Sequence, residues 1–215
     1  MARAQDTRTK ILEVAEREFA AAGFAGAHLQ RIAEQVGVRK TALYYYFESK
    51  AALYTAPVVR ETFDAALGAA VEAPEPPEVR LERLVASFND LLAVHPTYAR
   101  ILFRVFVDQP GVDARRVLPI VERIVGRLFR FYREGVDSGA FRRLSSRHFF
   151  QHLLGMTVFH YAAPFFSARV LGVEDIFSND AVAWRRDEVT ALLSDGVLRR
   201  EGKPEPARGR TGSDS

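Results

Sequence analysis

Apolar residues recur at intervals of three and four along almost the whole chain, and no run alternates apolar with polar residues as a half-buried strand must. That periodicity confines the chain to an all-α fold. Residues 7–22, TRTKILEVAEREFAAA, set Ile11, Leu12, Ala15 and Phe19 on one face, with Gly23 as the expected stop. Residues 29–36 and 40–46 read as two short helices hinged at Gly37, the first turning Ile32, Ala33 and Val36 inward. Ser49 is placed to cap a longer helix that starts at Lys50, contains Pro57 and ends before the acidic, proline-rich EAPEPPE of residues 72–78. Further helices are expected near 78–94, 97–107, 116–136, 146–165 and 181–200, about nine in all. These divide into a head over residues 1–52, a helical body over 53–200 and a disordered tail over 201–215, where one alanine is the sole apolar residue.

Composition narrows the function more than the fold. The 215 residues are 48% hydrophobic and 27% charged, enough to bury a sizeable core. The net charge of +3 gives no global basic field, so any surface suited to nucleic acid has to be local. With no cysteine there are no disulfides, no thiol chemistry and no cysteine-ligated metal. The first thirty residues carry Asp6, Glu13, Glu16 and Glu18 and no signal-type apolar stretch, and the most apolar run, residues 158–166, is too short to span a bilayer. A cytoplasmic protein with no membrane partner is the expectation. GxSxG, P-loop and GxGxxG patterns are all missing. His148 and His152 can share a helix face as metal ligands do, but HExxH is not formed and the carboxylates are distant in sequence. Neither an enzyme nor a metal or other cofactor is expected.

The residues that resist a bland reading are Tyr44, Tyr45 and Tyr46. Successive positions on a helix are ~100° apart, so the three fan across ~200°. With Leu43 and Phe47 defining the buried edge, Tyr45 and at least one neighbour must face outward. A phenol can donate to a phosphate oxygen, and its ring can pack on sugar or a thymine methyl. Arg39, Lys40 and Thr41 open the same short helix, and Lys50 starts the next, beside backbone donors suited to phosphate. Two short helices around a glycine turn form a helix-turn-helix, and tyrosines in this setting make sense against double-stranded DNA.

From Thr7 to Tyr54 the chain resembles the TetR/AcrR family of bacterial transcriptional regulators, through T-R-x-x-I-L-x-x-A-x-x-x-F-x-x-x-G-F and then I-A-x-x-x-G-V-x-K-x-x-L-Y-x-Y-F-x-S-K-x-x-L. The resemblance implies an operator-binding homodimer with its second short helix in the major groove. Lys40, Tyr44, Tyr45, Tyr46 and Lys50 fall on positions that commonly touch DNA in that family. Two departures stand out. Ala27-His28 replaces the usual pair of hydroxyl residues, leaving His28 as a partial substitute, and Thr41-Ala42 replaces the usual Gly-Thr, passing base reading to Arg39, Thr41 and Tyr45.

For the body the resemblance is one of pattern and length, and it implies a small-molecule pocket and pairing through the last two long helices. Polar groups placed to orient an effector are His95, Tyr98, Arg104 and Arg123. Tyr132, His152, Met156 and His160 complete the candidate lining, and an arginine inside a cavity would favour an anionic compound. The stretch 146–165 is apolar nearly all round and so expects cover on every side. Phe149, Leu153, Val189, Leu192 and Leu193 are the candidates for a dimer interface. The combined expectation is a ligand-responsive repressor. Its rivals are a DNA-binding factor without a small-molecule ligand, governed by a protein partner or acting in the nucleoid, and a helical enzyme that has kept a vestigial head.

Overall fold

A computed structural model of the chain describes residues 2–56, 61–107 and 114–199. Eleven helices run through the described residues: α1 (Ala2–Gly26), α2 (Leu29–Val36), α3 (Lys40–Tyr46), α4 (Lys50–Thr55), α5 (Glu61–Val71), α6 (Pro77–Val94), α7 (Pro96–Val107), α8 (Ala114–Asp137), α9 (Ser146–Ala162), α10 (Pro164–Leu171) and α11 (Asn179–Val197). The all-α expectation holds; the count of nine does not. α4 and α5 lie on either side of residues 57–60, so the helix expected from Lys50 is described in two pieces, and Pro57 with its expected bend lies outside the described residues. The departure from the expectation is α10. Pro164 has no N–H to continue α9 and forces the residue before it out of the helical region, so Ala163 sits at φ −116° and ψ 59° and a new helix starts.

The head is built on α1. Ile11, Ala15 and Phe19 are fully enclosed, in one core with Ile32 and Ala33 of α2, Leu43 of α3 and Phe47 just after it, and Leu53 and Tyr54 of α4. Phe19 and Phe24 both pack their rings on Tyr54. The expected stop at Gly23 proves to be a break inside a longer element. Gly23 adopts φ 69° and ψ −178°, a conformation open to glycine, and one more turn follows it to Gly26.

In the body, α6 lies against α5 and α11, while α7 packs on both α9 and the head's α1. A buried polar network pins three of these helices together. The Tyr161 hydroxyl of α9 donates to Asn89 Oδ1 of α6 at 2.9 Å, and Asn89 Nδ2 donates to the Val182 carbonyl of α11 at 3.2 Å. Beside it, Arg186 of α11 reaches both carboxylate oxygens of Asp90. The end of α11 is tied to the α8–α9 turn by a short antiparallel bridge, with Arg142 N–H donating to Val197 O and Arg199 N–H to Ala140 O, both at 2.8 Å. Among the described residues no helix is long and apolar enough to cross a membrane.

Candidate nucleic-acid interface

The turn that sets α3 is made by Gly37, which ends α2 at φ 79° and returns its N–H to Glu34 O, while Val38 N–H donates to Ala33 O at 2.9 Å. α3 is then held from one side only. Leu43 is 2% exposed and Phe47 7%, whereas Tyr44 is 49% and Tyr45 83% exposed. Arg39, Lys40 and Thr41 are exposed at the entry of the same helix. Tyr46 is half-buried, its ring edge-on to Tyr45 at 5.1 Å, so it braces Tyr45 as much as it faces outward. The result is a short element that presents two exposed phenols and two exposed cations.

Lys50 occupies an intermediate position. Its ammonium lies 4.9 Å over the Phe24 ring, and partial desolvation there lowers its pKa. Ser49 caps α4 as its sequence position requires, accepting from Ala52 N–H at 3.0 Å. Arg8 covers the Phe47 ring at 5.1 Å, extending the cationic rim onto α1.

His28 is exposed and precedes α2, but its side chain caps nothing. The start of α2 is held from elsewhere. Glu18 of α1, a nearly buried carboxylate, accepts from His28 N–H at 3.4 Å and pairs with Arg31 at 3.5 Å. A carboxylate at a helix start suits the positive end of the helix dipole, and this one holds the N–H of the residue that leads into α2. The sequence signal was available: Glu18 lies seven residues after Ile11, on the buried stripe of α1, where a charge needs a task.

In the body the candidate effector residues turn to different neighbours. His95 stacks on the buried Tyr98 at 4.6 Å. Arg104 turns to the head, donating to the carbonyls of Ala20 and Ala21. Arg123 and His152 are exposed, and Met156 is half-buried. Tyr132 donates its hydroxyl to Arg142 O at 2.9 Å, and burial pushes its pKa up to about 12. His160 is buried with Nε2 unpartnered, and burial, with the Arg185 charge adding, pushes its pKa down to about 4. Among the described residues no cluster of three or more metal-ligating side chains occurs.

The candidate dimer residues require a correction. Phe149, Leu153, Val189 and Leu193 are each 4% exposed or less, because they face the chain's own core; of the five, Leu192 alone stays outside, at 62%. Nor is α9 covered on every side within one chain: His148, Gln151, His152, Gly155 and Phe159 form an open stripe. The exposed apolar surface is instead carried by Phe159 of α9, Phe165, Phe166 and Val170 of α10, and Trp184 and Leu192 of α11. Periodicity marks a residue as apolar-facing, but it does not say whether the cover is the same chain or another.

Residues 11–56, spanning most of the head just described, match the sequence profile of bacterial regulatory proteins of the tetR family. Over those residues the chain carries a head of the tetR type. A helix-turn-helix transcriptional repressor of Streptomyces coelicolor is 34% identical over 97 residues, which cover 45% of this chain and 48% of the repressor. The chain thus aligns with about half the length of that relative. A candidate transcriptional regulator of known structure, also from Streptomyces coelicolor, superimposes with a TM-score of 0.65 at 25% identity, over 88% of this chain and 97% of the other. The structure of AibR, solved with isovaleryl coenzyme A and operator DNA, matches with a TM-score of 0.69 at 17% identity over 88% and 99%, a likeness of fold alone. None of these proteins is named as an enzyme, in line with the chain's lack of catalytic motifs.

Proposed function

We propose that this chain is a cytoplasmic, homodimeric repressor that binds operator DNA through α3 and leaves it when a small molecule occupies the body. The observation that carries the DNA reading is the outward pair Tyr44 and Tyr45 beside Arg39 and Lys40, on a helix anchored only by Leu43 and Phe47. Exposed phenols can bond phosphate and pack on sugar or base, while the neighbouring cations neutralise phosphate charge. Pairing is supported by the apolar face across α9, α10 and α11. Six large apolar side chains left in water on neighbouring helices mark a surface built for contact. A dimer would space two heads to meet successive turns of a two-fold operator. An effector would need to prefer the released form by only ~1.4 kcal/mol to weaken operator binding tenfold.

One observation favours a second reading, DNA binding without a small-molecule effector: Tyr132 and Arg104 already spend polar atoms on carbonyls of the protein itself. A single experiment separates the two. Genomic fragments bound by the full chain are titrated with salt and then with small molecules, acyl-coenzyme A thioesters first. Binding that weakens steeply with salt, together with release by a compound, supports the leading reading. Release by no compound supports the second, and no binding at low salt removes both.

A further inference from the structure

We propose that Arg104 is the positioning residue that fixes the orientation of the head on the body; the proposal rests on the operator-binding reading above. The reason lies in the break at Gly23. A helix leaves its last carbonyls without ladder partners, and the non-helical backbone of Gly23 creates such an end inside α1. Arg104 of α7 fills that vacancy. Its Nε donates to Ala20 O at 3.3 Å and its Nη2 to Ala21 O at 3.2 Å. A guanidinium offers two donors in one plane to two successive carbonyls, and its charge suits the negative end of a helix dipole. An ammonium can satisfy only part of this arrangement.

The position of Arg104 gives the contact its consequence. α1 carries α2 on its flank, and α2 carries α3. The neighbouring Phe103 points out of the body, its ring edge-on to Phe159 of α9 at 6.4 Å, and Phe159 meets Phe166 of α10 at 5.8 Å. Adjacent residues of α7 therefore hold the head's first helix and the outer aromatic face. A shift of α7 against α9 moves the guanidinium and with it the two carbonyls that orient the reading helix.

The chain has no cysteine, so paired spin labels can be placed at Gln35→Cys on α2 and Glu82→Cys on α6, both exposed. Labelled chain is diluted with unlabelled chain to suppress pairs between subunits. The expected result is one narrow distance for the parent and a broadened or displaced one for Arg104→Met, with Arg104→Lys intermediate. Affinity of Arg104→Met for a selected genomic fragment should fall about tenfold, while its melting temperature stays within a few degrees of the parent. An unchanged distance distribution in Arg104→Met overturns the proposal, and so does an Arg104→Lys variant that behaves as badly as Arg104→Met. If Arg104→Met melts far below the parent, Arg104→Lys decides through the same distance measurement. Should the parent bind no fragment, the operator reading fails, yet the distances still decide whether Arg104 holds the head.

Discussion

Among the described residues, aromatic rings stay in water on the head and on the body, and their chemistry differs. In the head the exposed rings are Tyr44 and Tyr45, each with a hydroxyl and with Arg39 and Lys40 alongside. On the body they are chiefly Phe159, Phe165 and Phe166, hydrocarbon rings that can make no hydrogen bond, with Trp184 nearby already donating its indole N–H to Glu188. The first set suits a polar, negatively charged surface that also presents flat apolar edges, as DNA does. The second suits another dry surface, and a second copy of the chain is the partner proposed for it. Similar exposure thus implies different partners, and the substituents on the rings tell them apart.

The largest test acts on the body face. Changing Phe165 and Phe166 together to Asp removes two rings, each worth about 1.5–3 kcal/mol if buried, and should weaken self-association about a thousandfold. Sedimentation should then show a monomer with unchanged helical content, and an unchanged dimer would sever the link between that face and pairing.

A second effect separates the regions by acid sensitivity. The folded chain keeps His160 neutral down to about pH 4, whereas an unfolded chain protonates it near 6.5. Between those values the unfolded state binds more protons, so stability falls as pH is lowered through that window. His160 should account for about 2 kcal/mol of loss at pH 5, visible as a urea midpoint that drops between pH 7.5 and 5 in the parent and drops less in His160→Gln. Equal drops in both would show that the imidazole is not held neutral.

In the head, Tyr45→Ala should reduce affinity for a selected fragment about tenfold or more, and Tyr45→Phe about threefold to fivefold, with self-association untouched. Lys40→Ala should lower the slope of log affinity against log salt by about one. The smallest change expected is structural: Glu18→Ala should cost about 1 kcal/mol through loss of its bonds to His28 N–H and Arg31 at the start of α2, read by thermal unfolding. A cost near zero would show that the Glu18 contacts with His28 N–H and Arg31 do not hold the start of α2.

How much of this was legible in the sequence differs between the same two regions. The head was readable because its motif fixes many residues at set offsets, and a slip of one residue would move Leu43, Phe47 and Gly37 out of register. Its one surprise, Glu18, lay on a stripe where a carboxylate already asked for an explanation. The body offered only periodicity. That signal placed α6, α7 and α8 within a residue or two but merged α9 with α10 across Pro164, where the proline rule should have taken precedence. It also could not divide the inner apolar residues from the outer ones. Phe149 and Phe159 are alike in sequence terms, and only the packing of α9 on its neighbours buries one and exposes the other.

The central claim is that α3 reads DNA through its outward tyrosines. It is tested most directly by selecting genomic fragments with the parent chain and with the Tyr44→Ala/Tyr45→Ala double variant at the same ionic strength. The account predicts that the parent enriches a small set sharing one two-fold motif and that the variant, still folded and still dimeric, enriches none of it. Equal enrichment by both would contradict the claim.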